Sequence, residues 1–357
     1  MSRCKISVIV PVYNAEEYLD ETLSSIERQT CKDIEIICVN DCSTDSSLDV
    51  LLAHKQNDSR IKVVTNPVNS GSGTSINVGL NLAEGEYIQL VGNDDTLDEH
   101  ALEFLYRLCT EKNLDFVQYG ITIVLDDPNQ PSLVKRSEVK ERYHRIEHDY
   151  PIAIGTELLR LSVENDEYRM SNGPQFIRRS LLEKNAIRNI EGIGHEDMYF
   201  TYRVFLASRN CTIIPNAFYH YRIRTGSQED GKKDRGHLVE EFNSLLSSSI
   251  LMAEETPDEL YFDPAFKETM DHVINRYYAT CTRYYLKMDP NEQQELTASA
   301  SRIETAFLAS LEASKEALLK TQTKWEKKEL KLRRSYSYRL GHAILAPFYG
   351  IYKTIKR

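Results

Sequence analysis

Three short clusters of this 357-residue chain carry side chains suited to chemistry: Asp41, the run Asn93-Asp94-Asp95, and His195-Glu196-Asp197. Adjacent aspartates offer hard oxygen ligands, which suit Mg²⁺ or Mn²⁺. An acidic pair opening a helix can serve as a general base, or can simply be the first-turn acids that the helix dipole favours. Asp41 can accept a hydrogen bond from a ligand or cap its own turn. Tyr13 and Asn14 stand near a fourth such point.

These residues gain meaning from the elements that present them. Apolar, β-branched runs predict strands at 6–12, 34–39, 61–64, 87–91 and 116–124, with helical spacing at 15–29, 45–57 and 99–111 between them. Asp45 and Asp98 are the expected N-caps. Strand and helix in alternation predict an α/β fold with a doubly wound, mostly parallel sheet. Tyr13, Asp41 and Asn93 to Asp95 then fall at the carboxyl ends of three strands, where open sheets bind ligands. Residues 126–150, polar with two prolines, read as an exposed connection or irregular hairpin. A second αβ stretch follows, with strands at 175–178 and 212–219 and a helix at 196–207. From 235 to 320 the pattern is helical.

Several chemistries are excluded. The segment Asn69-Ser-Gly-Ser-Gly-Thr-Ser-Ile-Asn77 fails the dinucleotide fingerprint because Ile76 takes the third glycine position. Neither a P-loop nor a G-x-S-x-G nucleophile elbow is present. What remains is a nucleotide held without a Gly-rich cradle, its diphosphate neutralised by a metal at the acidic strand end. Formal charge is −10, against a chain-wide nucleic-acid binder. The seven cysteines are scattered without a C-x-x-C pair, which fits a reducing cytosol better than a disulfide framework. No convincing signal peptide or membrane span is read. Charge is uneven, however. Residues 324–357 hold ten Lys/Arg against two Asp/Glu, leaving 34 basic and 52 acidic residues before them. Tyr, Leu, Ile and Phe interleave with those cations. That pattern predicts a tail lying on an anionic membrane surface, or a helix docked on the acidic body.

In order along residues 4–227, the motifs resemble the family-2 glycosyltransferases of bacterial surface-polysaccharide type. The matching segments are ISVIVPVYN (6–14), IEIICVNDCSTD (34–45), 69–80, QLVGNDDTL (89–97), His195-Glu196-Asp197 and YRIRTGS (221–227). The resemblance implies a GT-A fold with a nucleotide-binding N-terminal half and inverting transfer from a nucleotide-diphosphate sugar. It implies that Pro11 and Tyr13 frame the base and that Asp41 accepts its hydrogen bond. A uracil or thymine N3–H suits that carboxylate, so a UDP-sugar is expected first and a dTDP-sugar next. Asn69, Asn93, Glu196 and Arg222 are expected at the substrate, with Arg224 a second cation for phosphate oxygens. Asp94 and Asp95 are expected at a Mg²⁺ or Mn²⁺ ion that His220 could also reach, and Asp197 as general base. The acceptor is expected to be a glycan or lipid-linked hydroxyl, and the enzyme cytoplasmic and peripheral on the inner face of the membrane.

Two departures stand out. Gly92 replaces the usual first Asp of D-x-D, and Ile76 replaces an arginine. They lend weight to an alternative, a nucleotide-sugar-binding protein without transferase activity. A third reading assigns function to a helical scaffold. The single Trp and absence of Q-x-x-R-W speak against a processive synthase. Expected domains are 1–227 catalytic, 228–323 helical and 324–357 the basic amphipathic tail.

Overall fold

Continuous apolar runs make the centre of the sheet, because strands covered on both faces need no polar alternation. A computed structural model describes residues 5–192, 194–225 and 237–299. In chain order its first part runs β1 (Ile6–Val12), α1 (Leu19–Glu27), β2 (Ile34–Asn40), α2 (Ser47–Asn57), β3 (Ile61–Thr65), α3 (Ser72–Leu82), β4 (Tyr87–Leu90) and β5 (Thr96–Leu97). It continues with α4 (Ala101–Lys112), β6 (Phe116–Leu125), α5 (Pro131–His144), α6 (Gly155–Glu164), β7 (Gln175–Arg178), α7 (Arg179–Lys184), α8 (Glu196–Ala207) and β8 (Cys211–Ile223). All of β2 and nearly all of β1 are buried.

The eight strands lie in the order β3-β2-β1-β4-β7-β6-β8-β5. From β1 the chain winds outward through β2 and β3, then returns to β1's other side with β4, all four parallel. That reversal opens a crevice at the carboxyl ends of β1 and β4. There β1 leads into Tyr13 and Asn14, and β4 leads into the turn that holds Gly92 to Asp95. Helix α3 covers β1 closely: a Cβ on Gly79 would meet Ile9 Cγ2 at 2.4 Å.

Beyond β4 the sheet departs from the parallel expectation. β7 is antiparallel to both β4 and β6, and β5 is antiparallel to β8, while β6 and β8 are parallel. Residues 126–150 hold a 14-residue helix, α5, rather than a loop or hairpin. Pro131 opens it, where a missing N–H costs nothing. Helices α2 and α4 begin two residues later than expected. Asp45 still serves α2, accepting from Ser47 N at 3.0 Å, and Asp98 accepts from His100 N at 2.9 Å.

At the amino ends of the strands, a buried carboxylate ties three segments. Glu35 accepts from Ser7 Oγ, Lys62 Nζ (2.8 Å), Glu84 N (2.7 Å) and Gly85 N (3.1 Å). Burial alone would raise its pKa, but these donors outweigh it and hold the carboxyl below the usual range. A depressed folded pKa gives stability that is present above the unfolded value and lost as pH falls through the folded one. Glu35→Gln should therefore lower stability at pH 7 by on the order of 1–3 kcal/mol. Below about pH 4 the difference from wild type should shrink, as thermal melts across pH will show.

The chain divides into two compact units, Met1–Gly231 and Lys232–Arg357. In the second, α9 (His237–Glu255), α10 (Asp258–Phe262), α11 (Pro264–Lys287) and α12 (Pro290–Ser299) follow one another. Phe242, Leu245 and Leu246 of α9 and Val273, Cys281 and Tyr285 of α11 are buried there. The helical reading from 235 agrees as far as residue 299, and the expected basic tail at 324–357 lies outside the described residues. Among those residues no helix is long and apolar enough to cross a membrane.

Candidate active site

Asp41 ends β2 as a buried carboxylate, 3% exposed. Its oxygens accept from Asn66 Nδ2 (2.7 Å), Ser70 N (3.0 Å) and Gly71 N (2.7 Å), so it gathers the approach to α3. At this corner Asn40 Oδ1 also accepts from Ser43 N at 3.2 Å. Asn69 Oδ1 accepts from Gly71 N at 3.2 Å, placing the predicted donor-contact segment beside Asp41. Asn14, at φ +46°, stitches the ends of β1 and β2 by accepting from Thr44 N at 2.8 Å. Next to it Tyr13 is 40% exposed, and Pro11 pairs with Val39 in the sheet. Tyr13 is thus partly open to solvent, one residue beyond Val12, whose carbonyl accepts from Asp41 N at 2.7 Å.

The turn after β4 separates its two aspartates. Asp95 points inward, 5% exposed, and its oxygens accept from Tyr219 Oη (2.7 Å) and Arg222 N (2.8 Å). Burial first, then the charge of Asp94, pushes its pKa upward. Asp95, expected beside Asp94 at a metal, lies beneath the turn with its oxygens on Tyr219 and Arg222. Asp94 stays at the surface of the turn, where Arg224 Nε donates to Oδ2 at 2.7 Å. Arg222 reaches the Asp94 carbonyl at 3.0 Å and pairs with Glu21 and Asp126. Both guanidinium groups lie over the Tyr18 ring, 5.3 and 4.8 Å from its centre. Neither arginine is a plain surface charge. Asn93 is held through its carbonyl by Thr22 Oγ1 at 3.2 Å.

Gly92 explains why this turn lacks the usual first aspartate. A Cβ there would stand 2.6 Å from Asp95 Oδ2. Asp95 cannot retreat easily, because Tyr219 Oη, which also accepts from Gly92 N at 2.9 Å, holds it in place. Gly92→Asp should therefore destabilise the protein by about 1–3 kcal/mol through overpacking. It should not tighten Mn²⁺ binding. Thermal melts and Mn²⁺ titration of the variant check both statements. Ile76, the second departure, is 4% exposed on α3, so that position faces packing rather than the crevice.

Among the described residues, no three His, Cys, Asp or Glu side chains gather to hold a metal by themselves. His220 pairs with Thr96 across β5 and β8 and joins no such group. Mg²⁺ bound with a nucleotide needs only one or two carboxylates, with phosphates and water completing its shell. Asp94 supplies one, so the residues fit a metal that arrives with its substrate.

The acidic pair opens α8, after His195 at φ +55°. Glu196 and Asp197 are both half-buried in the first turn. Glu196 lies against α3: a Cβ on Gly73 would approach its Cγ to 3.0 Å. Burial raises the Glu196 pKa, partly offset by the first-turn N–H, by His195 and by a hydrogen bond from Ser72. Asn77 of α3 also bonds the loop before α8, donating to Asn189 O and accepting from Asn189 N, both at 2.9 Å. The structure thus joins Asp41 and Glu196 through one helix, and Asp94 with Arg222 and Arg224 through one turn. Sequence reasoning passed over Tyr219, Tyr18 and Asn77. Their roles depend on partners far along the chain, and only the position of Tyr219 on an alternating strand hinted at one.

Comparison with known proteins agrees with this fold. The family model described as glycosyl transferase family 2 matches residues 7–185. Glycosyltransferase GlyG of Streptococcus pneumoniae is 29% identical over 260 residues, covering 69% of this chain and 81% of that protein. The poly(ribitol-phosphate) beta-glucosyltransferase of Bacillus spizizenii is 32% identical over 225 residues, covering 62% of this chain. The match spans only 32% of that longer relative. In structure, the chain resembles S. aureus TarS 1–349 in complex with UDP-GlcNAc, with a TM-score of 0.66 and 20% identity, covering 92% of this chain and 93% of that one. The fold is the α/β GT-A architecture with a helical C-terminal region. The chain belongs to glycosyl transferase family 2 and is a glycosyltransferase.

Proposed function

We propose that this glycosyltransferase moves a sugar from a UDP-sugar to a hydroxyl of a surface glycan or lipid-linked acceptor, with inversion at the anomeric carbon. The observation that carries this reading is the grouping of three features around the carboxyl ends of the parallel strands. They are the Asp41 corner with its exposed Tyr13, the Asp94 turn with two arginines, and the acidic first turn of α8 packed on α3. Asp41 and Tyr13 take the base, a carboxylate for the uracil N3–H and a ring for its face. Asn69 and Asn93 line the path towards the sugar. Arg222 and Arg224 meet phosphate oxygens with charge-assisted hydrogen bonds. Asp94 would hold a Mg²⁺ or Mn²⁺ ion, which when bound would supply Lewis-acid neutralisation of the departing diphosphate. Asp197 takes the proton of the acceptor hydroxyl as its oxygen bonds to the anomeric carbon and the bond to UDP breaks. Glu196, its pKa raised against α3, holds the donor side of the same turn.

A binding protein without transfer is the weaker reading, because the Gly92 gap is filled by Asp95 and Tyr219 rather than left as a vacant ligand position. The named activity of the Bacillus relative, a beta-glucosyl transfer to poly(ribitol-phosphate), supports a polyol or glycan hydroxyl as acceptor. The acidic body and basic residues 324–357 support a peripheral place at the anionic inner membrane face. UDP release, measured across a panel of nucleotide sugars with and without Mn²⁺, tests the reading. UDP-sugars should turn over in preference to GDP- and CDP-sugars, and preference for a cytosine nucleotide would remove Asp41 as the base reader.

A further inference from the structure

We infer that Asn77 is a positioning residue: through α3 it sets the place of the base-bearing turn of α8 relative to the donor corner. The inference rests on the proposed roles of Asp41 and Asp197. Helix α3 is fixed at two points of its own. Its N-terminal approach is held by Asp41, through Ser70 N and Gly71 N. Its middle lies so close to β1 at Gly79 that it cannot slide without unpacking Ile9.

Between these points Asn77, only 6% exposed, grips the loop that leads to α8. Its amide satisfies both backbone groups of Asn189, and Nδ2 also lies 3.3 Å from Glu191 Oε1. A side chain here does what a neighbouring strand would do in a ladder. The side chain of Asn189 contributes little hold in return. Its Oδ1 accepts from Asn172 Nδ2 at 3.2 Å, while Asn189 Nδ2 and Asn172 Oδ1 are buried without partners. Arg188 adds bonds to Asn81, but at the exposed surface. Asn77 is thus a buried polar attachment of the loop before α8, made to both backbone groups of one residue.

Seven residues after Asn189, Glu196 packs on the first turn of α3 at Gly73, and Ile190 O stands equally close to that glycine. The turn carrying Glu196 and Asp197 is therefore seated on the same helix that Asp41 holds. Releasing Asn77 should let the turn shift without touching the strand ends that bind the nucleotide. A displacement of about 1 Å at a reacting group can cost 10²-fold in rate.

The test compares Asn77→Ala, Asn77→Asp and, as a control on the same helix, Asn81→Ala. Asn77→Ala should lower kcat by about 10- to 100-fold while donor KM and UDP affinity stay within about threefold. Asn77→Asp keeps the shape and the acceptor for Asn189 N, so it should fold and give an intermediate kcat. Asn81→Ala should behave as wild type. Hydrogen exchange should show residues 187–195 more open in both Asn77 variants than in wild type. A folded Asn77 variant with wild-type kcat overturns the inference. So does a fall in kcat accompanied by an equal loss of UDP binding, which is what a general structural role would give. Failure of the underlying reading shows separately, as undiminished activity in Asp197→Asn or undiminished UDP binding in Asp41→Ala.

Discussion

Asp197→Asn should cut the rate of transfer by about 10²-fold or more, as expected for loss of a general base. UDP affinity should stay within a few-fold, because the carboxylate acts in the chemical step and not in donor binding. The first turn of α8 gains from acidic side chains through the helix dipole, so the variant should also lose a small amount of stability, about 0.3–1 kcal/mol. Glu196 separates the two roles. It packs against Gly73 and accepts from Ser72, so Glu196→Gln should change donor KM more than kcat. The assignment fails if Glu196→Gln proves the inactive variant while Asp197→Asn transfers normally.

Asp94→Asn should be nearly as damaging. Loss of several kcal/mol of Lewis-acid stabilisation corresponds to at least about 10²-fold in turnover. Mn²⁺ titration in the presence of UDP should show the ion bound far more weakly. The fold should respond less than turnover does, because an asparagine oxygen in the same place can still accept from Arg224 Nε. Asp95→Asn should show the reverse balance. Its carboxylate is buried beneath the turn and bonded to Tyr219 and the Arg222 N–H, so melting should suffer first. Turnover by Asp94→Asn at limiting Mn²⁺ equal to wild type removes the metal from Asp94.

Much of the crevice is legible from local pattern. β1, β7 and α8 begin and end where their residues indicate, because an apolar run or an acidic first turn marks an element's limits locally. The strand-end residues follow, since topology alone brings the ends of β1 and β4 together. What escapes local reading is the identity of distant partners. Nothing in Gln175–Arg178 says that this strand enters antiparallel between β4 and β6. Asp94 and Asp95 look like a ligand pair in sequence, yet the turn sends one outward and the other under Tyr219. That second position exists because Gly92 and Gly173 leave room for the tyrosine ring. Helix α5 was hidden by its own polarity: a largely exposed helix has little apolar stripe to announce it. Asn77 and Asn189 lie 112 residues apart, and only the fold shows that one amide spans them.

The most direct test of the central claim, base-assisted inversion at this site, is the anomeric configuration of the product. Wild-type enzyme given an α-linked UDP-sugar and an acceptor hydroxyl should release UDP and form a β-linked product, read by the NMR coupling of the anomeric proton. Asp197→Asn should form that product at about a hundredth of the rate or less. An α-linked product, or β-linked product formed by Asp197→Asn at the wild-type rate, contradicts the account.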